Sequence, residues 1–183
     1  SQRDSRSAVQ EFCASVLGVQ ISRGAIQRAV DRVPEAIHPH YDAMAAKARA
    51  AKVNYIDETT WYQHGVLAWL WVMVNPTVAL FKVQASRSKA AFEALVKHWA
   101  GILVSDGYGV YQKWVEARQT CVAHLIRTAR GLAERPHPEM AACGAWALAE
   151  LQRLCHMAKA PPTGGEWRAW YARLGKWIAQ YHD

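Results

Sequence analysis

The feature that most constrains this chain is Gly65 to Val74 (GVLAWLWVMV), ten residues that are apolar without alternation. The run is well short of the roughly 20 residues that a helix needs to cross a bilayer. Asn75-Pro76-Thr77 comes next as a turn, and Val78 to Gln84 (VALFKVQ) reads as a returning strand. Gly65–Val74 is therefore expected to be a central strand buried on both faces. Such a strand needs neighbours on each side and helices above and below it. The rest of the chain offers both.

Val53-Asn54-Tyr55-Ile56-Asp57 is a short β-prone run that ends in an acid, and it completes a three-stranded antiparallel meander. Before it the period is helical. Phe12, Val16 and Leu17 share one helix face, Gly18 breaks the pattern, and Ser22 is placed to cap a second helix carrying Ile26, Val30 and Val33. Pro34 and Pro39 punctuate the next segment, and the Ala-rich stretch from Tyr41 to Lys52 favours another helix. The link from Gly18 to Ile26 is long for a DNA-reading helix-turn-helix, so an ordinary helical hairpin is the better reading.

Beyond the meander, Ser86 can cap a helix with Ala91, Phe92, Leu95, Val96 and Trp99 in period, closed by Gly101. Ile102-Leu103-Val104-Ser105-Asp106 is a fourth strand, again ending in an acid. Gly107 supplies a tight turn, and Tyr108–Glu116 reads as a helix. Thr120–His124 fits a fifth strand or the start of a helix equally well. From Arg127 the chain is helical and basic, interrupted by Pro136 and Pro138. A helix over Met140–Lys159 ends at Pro161-Pro162-Thr163-Gly164-Gly165, and a last helix carries Trp167, Trp170, Leu174, Trp177 and Ile178. The organisation expected is an α/β chain. It has an N-terminal helical segment (1–50), a mixed five-stranded sheet flanked by helices (51–134) and a C-terminal helical insertion (135–183).

Composition excludes several classes. At 183 residues, 51% apolar and 20% charged, the chain can build a core and is not disordered. Its cysteines, Cys13, Cys121, Cys143 and Cys155, are too sparse and uneven for a disulfide framework. With no signal-peptide pattern and no membrane span, the expectation is a soluble, cytoplasmic protein. The net charge is +7, and residues 111–183 carry 10 basic against 6 acidic groups. That excess suggests a polyanionic partner.

Two strands thus end in aspartates, Asp57 and Asp106. If the helical crossover makes the first and fourth strands parallel neighbours, the two carboxylates can face each other at one end of the sheet. A divalent cation would relieve their repulsion. Hard oxygen ligands suit Mg²⁺ or Mn²⁺, which can activate a water or hydroxyl and stabilise a leaving oxygen in phosphodiester displacement. An acid at a strand end is also, and more often, a loop solvator or helix cap.

Val53–Thr59 (VNYIDET), then Ser105-Asp106-Gly107-Tyr108, then Cys121-Val122-Ala123-His124 resemble the insertion-sequence 66 family of transposases. That family has Asp-Glu-Thr at its first catalytic aspartate, Asp-Gly-Tyr at its second, and afterwards a Cys-x-x-His followed by basic residues. Leu17-Gly18-Val19, Ser22-Arg23-Gly24 and Tyr41-Asp42-Ala43-Met44 resemble the stretch before its core, so the likeness runs from about Phe12 to Arg130. It implies a ribonuclease H-like fold and a DDE-type transposase that cleaves and joins DNA strands with two metal ions, Mg²⁺ or Mn²⁺. Asp57 and Asp106 would be the first two metal ligands, with His124 and Cys121 as accessory groups. The partners implied are DNA, as transposon ends and target, and further copies of the chain; the location implied is bacterial and nucleoid-associated. Glu58 alternates to the opposite face of its strand and is given no ligand role.

The sequence also departs from that family. The third acid should be a Glu within Asn-Asn-x-x-Glu-Arg, after a helical insertion, whereas the only asparagines here are Asn54 and Asn75. The chain stops at Asp183, within that insertion, so a truncated core lacking one ligand is expected, with Glu134 and Glu150 as weak positional substitutes. Little or no strand transfer is then expected from it alone. The alternative function is a non-catalytic DNA-binding or assembly module derived from a truncated transposase. Arg87, Lys89, Arg127, Arg130 and Arg135 are the candidate phosphate contacts. Cys121 and His124 have half the spacing of a zinc site, which Cys143, Cys155 and His156 could complete, but a buried Cys and a hydrogen-bonded His fit better. The tryptophans at 167, 170 and 177 fit helix packing better than base stacking.

Overall fold

The computed structural model describes residues 5–63, 65–114 and 116–180. The chain forms two compact units, one reaching to Gln119 and the other beginning at Thr120.

The first unit opens with α1 (Arg6–Val16) and α2 (Arg23–Ala50). Gly18, at φ +64°, makes the turn between them, and Ser22 caps α2 by accepting the Ala25 N–H at 3.1 Å. α2 runs unbroken for 28 residues through Pro34 and Pro39, where the sequence suggested interruptions. Each proline leaves the carbonyl four residues earlier without its helical partner. Both prolines, and Val30 and Glu35 before them, are exposed, so water can take up those carbonyls. The C-terminal end of α2 is fixed more firmly. Ala45 and Ala48 are buried, and Arg49 donates through Nε and Nη2 to the Leu95 carbonyl at 3.0 and 2.7 Å.

The sheet has the order β3-β2-β1-β4-β5, from β1 (Val53–Gln63), β2 (Val66–Asn75), β3 (Val78–Gln84), β4 (Ile102–Ser105) and β5 (Arg118–Thr120). β1–β2 and β2–β3 are antiparallel, as the meander required, and β4 lies parallel to β1 after the crossover through α3 (Lys89–Val96). This is the mixed five-stranded, helix-flanked sheet that the sequence patterns predict. The core lies on one face, where Ile56, Trp71, Met73 and Leu80 meet Ala45 and Ala48 of α2 and Phe92 and Leu95 of α3. α2 and α3 both pack on this face. Leu70, Val72 and Val74 on the other side of β2 are half-buried, a correction to the two-sided burial expected.

Local differences from the sequence reading have local causes. β1 does not stop at Asp57 but continues to Gln63, because Thr59, Thr60, Trp61 and Tyr62 are strong strand formers paired with β2. The cap of α3 is Ser88 rather than Ser86, and the helix ends at Val96, where Lys97 takes φ +52°. Trp99 lies beyond that end and is buried, its indole donating to the Ala51 carbonyl at 2.8 Å. Among the described residues of the expected 108–116 helix, only Tyr111–Lys113 is helical, as a single 3₁₀ turn. Asp106 Oδ1 accepts the Tyr108 N–H at 2.9 Å, a side-chain turn that competes with helix initiation. The ambiguous 120–124 stretch contains both answers, with β5 ending at Thr120 and a helix starting at Val122.

The second unit is helical: α4 (Val122–Ala133), α5 (Pro138–Lys159) and α6 (Gly164–Ala179). α4 and α5 approach so closely at Gly144 that a Cβ there would lie 2.2 Å from the Ala133 nitrogen. Trp146 and Trp177 stack with centroids 3.5 Å apart, and the Trp170 indole donates to Glu150 Oε2 at 2.7 Å. These tryptophans pack the helices together. Among the described residues, no helix is long and apolar enough to cross a membrane.

Candidate metal centre

The parallel pairing of β1 with β4 sets Val53 opposite Ile102, Asn54 opposite Leu103 and Tyr55 opposite Val104. Asp57 and Asp106 each stand two residues beyond that last pair. Equal offsets on parallel neighbours put the two side chains on the same face and at the same height. Their carboxylate oxygens accordingly lie within 4.8 Å of one another.

Each carboxylate is held by a backbone amide. Asp57 Oδ1 accepts the Glu58 N–H at 2.9 Å, and Asp106 Oδ1 accepts the Tyr108 N–H at the same distance. The arrangement suits a hard divalent cation. Oxygens on opposite sides of an octahedral Mg²⁺ stand about 4.2 Å apart, since each bond is about 2.1 Å. Both aspartates offer hard oxygen donors.

Behind this pair lies a buried network that the sequence showed only in part. Alternation does carry Glu58 to the opposite face from Asp57, where its side chain is completely enclosed. There Oε1 accepts Nε and Nη2 of Arg87, both at 2.5 Å, and Oε2 accepts the Tyr111 hydroxyl. The Arg87 guanidinium sits 3.9 Å from the Tyr108 ring centroid, and the Tyr108 hydroxyl donates to the Arg87 carbonyl at 2.5 Å. Burial pushes the Glu58 carboxyl up from its ordinary range, and its bonds to Tyr111 and Arg87 only partly oppose this. The Tyr111 hydroxyl is driven upward by burial and then by the Glu58 carboxylate, so it stays protonated as a donor. No sequence signal pairs Glu58 with residues 29 and 53 positions away.

The remaining candidates are spread over both units. Lys89 is exposed on α3 and pairs with Glu93 at 3.3 Å. In the second unit Cys121 precedes α4, and its carbonyl accepts the His124 N–H at 3.1 Å. Arg127 and Arg130 are exposed on α4, and Arg135 is exposed just after it. Glu134 is exposed at the end of α4, while Glu150 is held by Trp170. All four cysteines are free, and among the described residues none joins a cluster of three or more metal-ligating side chains.

The sheet thus carries one aspartate within β1 and another on the residue that follows β4. The family model described as "Transposase IS66 family" matches residues 8–173. The chain belongs to that family. No curated protein matches it. Among solved structures it is similar to the HTLV-2 integrase catalytic core domain in complex with magnesium. For the trimeric form the identity is 11% and the TM-score 0.33; for the dimeric form they are 12% and 0.32. In both cases the match covers 52% of this chain and 81% of that one.

Proposed function

We propose that this chain is the catalytic core of a transposase that cleaves and joins DNA strands, with Asp57 and Asp106 as ligands of Mg²⁺ or Mn²⁺. The observation that carries the reading is the equal offset of the two acids beyond the Tyr55–Val104 pair, with their oxygens within 4.8 Å. Family membership supplies the substrate class, DNA. A bound divalent ion supplies activation of an attacking water or hydroxyl and stabilisation of the leaving oxygen. The chain's own part is to hold two hard oxygen donors at fixed height, each locked by one amide N–H.

Lys89, Arg127, Arg130 and Arg135 contact DNA phosphates in this reading, whereas Arg87 is engaged by Glu58. His124 and Cys121 are accessory groups. The active complex contains more than one copy of the chain and works on the bacterial nucleoid. Two carboxylates alone hold ions weakly, so the 183-residue chain is expected to bind Mn²⁺ measurably but to show little strand transfer by itself.

The test is Mn²⁺ binding followed by electron paramagnetic resonance, with Asp57→Asn and Asp106→Asn beside the unsubstituted chain. Binding that is lost in both variants supports the site. Binding that survives both, or that the unsubstituted chain lacks, overturns it.

A further inference from the structure

The amides that orient the two aspartates belong to Glu58 and Tyr108, and those two residues are joined through Arg87. Glu58 gives its N–H to Asp57 and its Oε1 to the Arg87 guanidinium. Tyr108 gives its N–H to Asp106, its ring to the face of the same guanidinium, and its hydroxyl to the Arg87 carbonyl. Arg87 belongs to the segment between β3 and α3. A continuous chain of contacts therefore ties together three separate stretches, two of which carry the acids.

We propose that Glu58, Arg87 and Tyr108 are positioning residues: they form a clamp that fixes the distance between Asp57 and Asp106 before any cation arrives. The assignment rests on the reading of those two aspartates as metal ligands. Asp106 needs such a device, because β4 ends at Ser105 and no ladder holds the residue after it. Asp57 lies within β1, paired with β2 at Val72, and serves as the fixed side of the clamp. Stability alone does not call for this chain of contacts. Enclosing a carboxylate costs desolvation, and well-packed apolar replacements of a buried ion pair are often as stable. Its placement directly behind both metal-ligand candidates accounts for the Glu of the Asp-Glu-Thr segment and the Tyr of Asp-Gly-Tyr without making either a ligand.

The test compares Glu58→Ala, Glu58→Gln and Tyr108→Phe in the whole chain. One readout is Mn²⁺ affinity, and the other is hydrogen exchange at the Tyr108 amide without metal. Glu58→Ala is expected to weaken Mn²⁺ binding about tenfold, the lower end for groups that orient metal ligands, and to speed Tyr108 amide exchange by a similar factor. Glu58→Gln keeps an oxygen for Arg87 and an amide for the rotated Tyr111 hydroxyl, so it should restore most of both. Tyr108→Phe keeps the ring stack and loses one bond, giving a smaller loss of about threefold, near 0.7 kcal/mol at 1.4 kcal/mol per tenfold. If Glu58→Gln is as weak as Glu58→Ala, charge and not the clamp sets affinity, and the proposal falls. It falls too if Glu58→Ala leaves both readouts unchanged while Asp57→Asn abolishes Mn²⁺ binding. Mn²⁺ binding that survives Asp57→Asn and Asp106→Asn instead overturns the metal site itself.

Discussion

Asn75 donates its side-chain amide to Oδ1 of Asn54 across 3.0 Å, with both residues buried beneath the sheet. Asn54 passes the chain of bonds on to the Ala48 carbonyl at 2.9 Å, while Asn75 Oδ1 collects Thr77 and the Val78 N–H at the turn into β3. One pair thus fixes the end of α2, the entry of β1 and the β2–β3 turn. Asn54→Ala leaves the buried Asn75 amide without its partner, while the Ala48 carbonyl keeps the Ala51 N–H, so it should cost about 1–3 kcal/mol. Urea denaturation of Asn54→Ala, Asn75→Ala and the double variant checks this. The two losses should add to more than the double variant shows, and strict additivity would mean that the pair does not act as a unit.

The glycines of α4 and α5 should respond to alanine with opposite signs. At Gly144 a Cβ would sit 2.2 Å from the Ala133 nitrogen and 2.8 Å from the Ala129 oxygen, both backbone, and a helix backbone does not yield. Gly144→Ala should destabilise by roughly 1–3 kcal/mol. Gly131 is exposed within α4 with nothing near its Cβ position, so Gly131→Ala should gain about 1 kcal/mol in helix propensity. Thermal unfolding of the two variants should shift in opposite directions; a shared sign would refute the packing described.

Lys97 ends α3 with φ +52° and ψ −119°, a conformation that glycine adopts without a Cβ clash. Lys97→Gly should therefore stabilise the chain by about 1 kcal/mol, where Lys97→Ala gives no gain. Equal stability of the two variants in urea would show that no strain resides there.

The N-terminus of α6 should loosen in acid. The Thr163 backbone N–H and hydroxyl both donate to Glu166, at 2.8 and 2.9 Å, and hold its carboxyl below the ordinary range. The folded state therefore binds this proton less tightly than the unfolded state. The cap contributes fully above the ordinary carboxylate value and is lost as pH falls through the lowered one. Amide exchange at Glu166 and Trp167, corrected for intrinsic rates, should rise as pH falls below the ordinary carboxylate range. Glu166→Gln should abolish that rise, and a pH-dependent cap in the Gln variant would point to another group.

Phosphate binding by the second unit predicts a salt signature. Replacing Arg127, Arg130 and Arg135 together by alanine should lower the slope of log affinity against log salt by about 2–3 for duplex DNA, at about 0.9 for each neutralised phosphate. Fluorescence anisotropy with a nonspecific duplex measures it. An unchanged slope would remove these arginines from the interface.

What the sequence made legible was pattern within a segment. The apolar run at 65–74 and the Ser22 cap depend on neighbours a few residues away; the first forms a strand and the second caps α2, as their local patterns required. The parallel β1–β4 pairing followed from one connection rule. The rest depended on distant partners. β1 outran Asp57 because β2 had residues to pair with it, and α2 crossed two prolines because water could reach the orphaned carbonyls. Arg87 read as a surface cation because Glu58 stands 29 residues before it. Alternation could turn Glu58 inward; it could not say what would be waiting there.

The continuation of β1 past Asp57 makes the two aspartates mechanically unequal. Asp57 is anchored mid-strand, with ladder on both sides of it along the chain, whereas Asp106 stands on the first residue after β4. For the proposed metal site, adjustment to an ion of different radius would come from the Asp106 side. Tolerance between a small cation and a larger one would then be a property of the Asp106–Tyr108 turn, and changes there should alter which metal is accepted before they alter whether one is.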